Sequence, residues 1–62
     1  MMQNKIQYAG KKYATNGSDE GLFFWNGMEW KQIEGTCDFN VRDVKDKAAK
    51  IKTYLKKRYG DR

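Results

Sequence analysis

Sixty-two residues with 13 Lys and Arg against 8 Asp and Glu, no histidine and one cysteine make one small domain at most, with a net charge of +5. That composition excludes an intrachain disulfide and a Cys/His zinc site, and the longest apolar run, Leu22-Phe23-Phe24-Trp25, is far too short to span a bilayer. A core of this size supplies only ~3–5 kcal/mol of net stability, so packing must draw on the nine Phe, Tyr and Trp side chains.

In chain order, the first predicted element is a β-hairpin over residues 5–15. Ile6, Tyr8 and Tyr13 favour strands, and Gly10 with Ala9 and Lys11 supplies the turn. A polar loop, 16–21, follows and carries Asp19 and Glu20, the one locally negative surface. A second hairpin over 22–34 is signalled by Asn26-Gly27 between two aromatic-rich runs. A two-residue turn pairs Trp25 with Met28 and puts Phe23, Trp25, Met28 and Trp30 on one face, with Leu22, Phe24, Glu29, Lys31 and Ile33 on the other. A three-residue turn pairs Phe24 with Met28 and joins Leu22, Phe24, Met28 and Trp30 instead. Either register leaves at least one large ring on the face that a helix does not cover.

Residues 35–39 read as a linker holding Cys37, and residues 40–59 as a helix. Asn40 suits the N-cap, Asp43 the capping-box position, and Phe39 with Val44 a hydrophobic staple. Asp43–Lys47 and Asp46–Lys50 are spaced as i,i+4 ion pairs, and Gly60 marks the stop. Val41, Val44, Ala48, Ile51, Leu55 and Tyr59 form a narrow apolar stripe at helical spacing. The expected fold class is therefore α+β: a three- or four-stranded antiparallel sheet of two hairpins, with one C-terminal amphipathic helix packed on one face.

Charge is concentrated in the last third. From Val41 to Arg62 there are nine cations and three acids, whereas residues 1–40 are net −1. A concentrated positive patch favours a polyanion, most often nucleic acid. The candidate phosphate contacts are Lys45, Lys52, Lys56, Lys57 and Arg58, joined by Lys11 and Lys12 if the first turn lies nearby. Predominance of Lys over Arg fits phosphate neutralisation more than base reading. Phe23, Trp25, Trp30 and Tyr54 are candidate aromatic contacts, either core residues or platforms for bases or a protein partner.

Enzymatic chemistry is not expected: there is no histidine base, Cys37 lacks a His partner, and no glycine-rich phosphate loop precedes the helix. No cofactor or metal is expected either. The expected function is a small nucleic-acid-binding accessory protein. The alternative is a phage- or plasmid-type regulatory or inhibitory protein that docks on an acidic host protein through aromatics of the second hairpin. A membrane-surface role is disfavoured by the narrow apolar stripe, and homo-oligomerisation, though it would enlarge the core, has no specific signal. The polar opening Met1-Met2-Gln3-Asn4-Lys5 and a single thiol fit a cytoplasmic location.

Overall fold

Two hairpins in succession give the chain its sheet, and the helix closes one side of it. The computed structural model describes residues 1–60; Asp61 and Arg62, counted above in the charge of the C-terminal third, lie outside the described residues. Strands β1 (Gln3–Tyr8), β2 (Lys11–Thr15), β3 (Phe23–Trp25) and β4 (Trp30–Gln32) form an antiparallel sheet in the order β1-β2-β3-β4, and helix α1 (Lys47–Tyr59) packs against it at β1. This is the expected α+β architecture.

In the first hairpin Tyr8 pairs with Lys11, so Ala9 and Gly10 alone make the turn. Both have positive φ, 53° and 77°, the conformation whose twist matches the flanking strands. Further along, a bulge between Gln3 and Ile6 sets Gln3 opposite Thr15. Asn4 occupies it with φ 55°. Its amide donates to Thr15 Oγ1 and to Asp19 Oδ1, each at 2.8 Å, tying the bulge to the following loop.

The second hairpin follows neither expected register. Trp25 pairs with Trp30, Phe24 with Lys31 and Phe23 with Gln32, leaving a four-residue loop from Asn26 to Glu29. Asn26 does not enter a two-residue turn; its Oδ1 accepts from the backbone N–H groups of Met28 and Glu29, both at 2.8 Å. The reason lies at the far end of the hairpin. This register sets Leu22 against Ile33, with Ile33 N–H donating to the Leu22 carbonyl at 2.8 Å, and both side chains are buried. A two-residue turn would have opposed Leu22 to Lys31. The slip is two residues, which preserves strand parity, so the faces remain those of the two-residue alternative.

The helix begins later than Asn40. Residues 39–41 run antiparallel to 19–21: Gly21 N–H donates to the Phe39 carbonyl at 2.7 Å and Val41 N–H to the Asp19 carbonyl at 3.0 Å, around a bridge between Glu20 and Asn40. Backbone groups spent there cannot open a helix. Asp46 is the cap instead, its Oδ1 accepting from Ala49 N–H at 3.0 Å. The capping box at Asp43 and the staple of Phe39 on Val44 do not form, and Phe39 packs on Tyr54 with ring centroids 4.6 Å apart. Neither Asp43–Lys47 nor Asp46–Lys50 pairs, since both acids precede the helix. At the other end Gly60 (φ 80°) does stop it, returning an N–H to the Lys56 carbonyl.

Val41 and Val44 thus reach the core from a loop. The buried cluster joins Tyr13, Leu22, Ile33 and Val41 to Ile51 and Leu55 of α1, with Ile6, Tyr8, Phe24, Phe39, Val44, Tyr54 and Tyr59 packed around it. Full burial of Ile51 and Leu55 contributes about 1.5–3 kcal/mol each. The linker is pinned by Thr36, whose buried hydroxyl donates to the Ile33 carbonyl at 2.7 Å and accepts from Leu22 N–H at 3.2 Å. Cys37 beside it is exposed and free. No helix among the described residues is long and apolar enough to cross a membrane.

Candidate nucleic-acid interface

With Ile51 and Leu55 turned into the core, the 3.6-residue period directs Thr53 and Lys57 outward, with Lys56 beside them, while Lys50 carries its ammonium over the Phe39 ring, 5.7 Å from the centroid. Lys52 borders the buried stripe and is itself exposed. The helix holds six Lys and Arg residues and no acid. Among the described residues the ion pairs are Lys31–Glu29 and Arg42–Glu20, so none engages a helical lysine. The two acids of the 16–21 loop are, by contrast, occupied. Glu20 takes Arg42, holding that guanidinium above its ordinary pKa chiefly through their hydrogen bond, and Asp19 takes Asn4.

The expected phosphate contacts do not form one group. Lys52, Lys56 and Lys57 share the helix exterior, whereas Lys45 lies in the loop before the Asp46 cap. Arg58 is committed to structure: it donates to the Glu34 carbonyl at 2.6 Å and to the Tyr54 hydroxyl at 3.1 Å, bracing the helix end against the linker. Its hydrogen bonds to Tyr54 and Tyr59 raise its pKa. The first turn splits the remaining pair. Lys11 lies on the helix side, lining a groove with Tyr8, Phe24 and Tyr59. Lys12, one residue on, lies on the opposite face of the sheet.

That opposite face is not covered by the helix. Strand alternation places Phe23, Trp25, Trp30 and Gln32 there with Lys5, Gln7, Lys12 and the small, buried Ala14. Trp25 and Trp30, directly opposite each other, meet edge to face with centroids 5.4 Å apart and planes at 62°. Trp25 is 37% exposed and Trp30 half-buried. Beside them Lys5, Gln7 and Lys12 line an open depression of about 520 Å³. Phe23 sits at the other end of β3, its ring 3.2 Å from where a Cβ on Gly21 would stand, and covers that backbone. Tyr54, packed on Phe39 and bonded to Arg58, is likewise a structural ring.

Of the four candidate aromatics, the structure therefore brings Trp25 and Trp30 together at an open surface, and it adds Lys5 and Gln7, which sequence reasoning missed. Their signal was present: Lys5 and Gln7 alternate with Ile6 and Tyr8, so packing of the latter pair on the core turns the former outward. Among the described residues no cluster of His, Cys, Asp and Glu is arranged to hold a metal ion. Comparison with protein-family models, curated proteins and solved structures finds no match for the chain.

Proposed function

We propose that this protein is a non-enzymatic nucleic-acid-binding accessory protein whose α1 exterior neutralises phosphates. The observation that supports the reading is the row of helical lysines, exposed and without an acidic partner among the described residues. Lys52, Lys56 and Lys57 carry the contacts, with Lys50 at their flank and Lys11 beside the C-terminal end. Side chains of this kind act as mobile point charges, so affinity falls steeply with salt and depends little on sequence.

Fluorescence anisotropy with labelled duplexes of unrelated sequence, titrated across salt, tests this. Lys52→Glu with Lys56→Glu weakens binding to every duplex alike and flattens the salt dependence; unchanged affinity in this folded double variant overturns the helix as the binding surface. The alternative, docking on an acidic host protein, draws on the exposure of Trp25 and of Met28, 87% exposed, on one hairpin. It requires that Trp25→Ala abolish partner capture without unfolding the chain.

A further inference from the structure

The uncovered face of the sheet has a chemistry that the helix lacks. Trp25 and Trp30 are fixed to adjacent strands and to each other, so their rings are held before any ligand arrives. The cations beside them, Lys5 and Lys12, come from the neighbouring hairpin, and Gln7 adds an amide able to donate and to accept. No acid alternates onto this face of the strands; Glu29, in the hairpin loop, lies beside Lys31 at 4.0 Å. Rings on the β3–β4 side of the face and positive charge on the β1–β2 side match a ligand with flat apolar faces and a negative backbone.

Single-stranded nucleic acid is such a ligand. In a duplex the bases are stacked on one another and their faces are closed to a side chain; in a single strand they are open, and stacking on an aromatic ring requires no particular base. The make-up of the patch points the same way. A stable protein interface is built around an apolar centre, whereas here two rings are bordered at once by Lys and Gln. One ring face is enough for one base.

We propose that the open sheet face is a single-strand binding platform, with Trp25 and Trp30 stacking bases while Lys5 and Lys12 hold the adjoining phosphates. This rests on the nucleic-acid reading above but assigns the single strand to a different surface from the helix. The two surfaces lie on opposite sides of the sheet, so substitutions on one leave the other intact.

Trp25 and Trp30 are the chain's two tryptophans, so tryptophan emission, excited selectively over the four tyrosines, reports on this face alone. The experiment titrates the full chain with oligothymidylate and oligouridylate of about 12 nucleotides and with a duplex of equal length, at about 0.15 M salt. Tryptophan quenching by either single strand and not by the duplex is the expected result. Trp25→Ala should weaken single-strand affinity, read by anisotropy, about tenfold and leave duplex affinity unchanged. Lys5→Glu with Lys12→Glu, a surface change that keeps both rings, should do the same if Trp25→Ala fails to fold. Lys52→Glu with Lys56→Glu should leave the quenching in place.

Failure of this proposal and failure of the helix reading give different patterns. Single-strand binding that the helix variant removes and both sheet-face variants retain, without quenching, overturns the platform and keeps the helix. Absence of binding to any strand overturns both, and leaves the tryptophans to a protein partner.

Discussion

The outer side of α1 and the uncovered face of the sheet are made of different materials. The helix offers cations on long flexible stems, and the rings beside them are held within the fold, Tyr54 upon Phe39 and Tyr59 against the core. The sheet face offers fewer cations but two indoles locked edge to face across a strand pair. Flexible charge adapts to any row of phosphates and so discriminates poorly between them. Fixed rings reward only a ligand that presents an open base. The contrast shows how a chain too small for a deep pocket acquires selectivity: by which side of one sheet carries rigid aromatic surface, rather than by how much charge it carries.

Both surfaces depend on one core, and removing it should have the largest effect. Leu55→Ala takes a fully buried side chain from the contact that holds α1 on the sheet, at a cost of about 2–5 kcal/mol. That approaches the whole net stability of a core this size, ~3–5 kcal/mol. Urea unfolding followed by far-ultraviolet circular dichroism should show the variant largely unfolded in buffer. A variant that keeps its tryptophan environment while losing helical signal would break the comparison, since the sheet face would then stand without the helix.

Thr36→Val is the next largest. Its hydroxyl is the buried partner of Leu22 N–H and the Ile33 carbonyl, and an isosteric methyl strands both. The loss should be about 1–3 kcal/mol, read as a lower urea midpoint with an unchanged slope. Because this hydroxyl ties Leu22 and Ile33, which flank β3 and β4, to the linker rather than to α1, tryptophan emission and helical signal should still fall together, as one core requires; a tryptophan transition at lower urea than the helical one would break that coupling.

The faces of the second hairpin were legible in the sequence only as two alternatives, and its register was legible in neither. Leu22, Phe24 and Ile33 share a face under one of the two expected turns, the two-residue one, and under the observed four-residue loop, because alternation is blind to a slip of two; the three-residue turn would have set Trp30 beside Leu22 and Phe24 instead. The local preference of Asn26-Gly27 gave way to a non-local one, the pairing of Leu22 with Ile33. The helix start was obscured in the same way. Asn40, Asp43, Phe39 and Val44 satisfy every local rule for a cap, but the backbone of 39–41 is claimed by residues 19–21, far away in sequence. Gly60 and the stripe of Ala48, Ile51, Leu55 and Tyr59 were legible because they depend on nothing distant. For the same reason the charged helix was visible as a candidate, whereas Lys5, Gln7 and Lys12 joined the tryptophans only once strand order was known.

A smaller and opposite effect is expected at the first turn, which sends Lys11 to one surface and Lys12 to the other. Ala9 sits there at φ 53°, a left-handed conformation that Asn tolerates better than Ala. Ala9→Asn should raise stability by about 0.5–1 kcal/mol, seen as a higher thermal midpoint with both binding activities unaltered. A loss of stability would mean that the turn does not hold residue 9 in the left-handed region, and the pairing of Tyr8 with Lys11 would no longer stand.

The smallest effect on stability separates the two surfaces most cleanly. Lys5 on the sheet and Lys52 on the helix are both exposed, and neither forms an ion pair among the described residues. Lys5→Glu and Lys52→Glu should therefore each alter unfolding free energy by no more than about 0.5 kcal/mol. Equal silence in stability makes any difference in binding a property of the surface rather than of the fold. Lys52→Glu should weaken duplex and leave tryptophan quenching by single strands; Lys5→Glu should weaken single strands and spare the duplex. If the two variants weaken the same ligands in the same proportion, charge acts through the field of the whole molecule, and the division between a helix for phosphates and a sheet for bases does not hold.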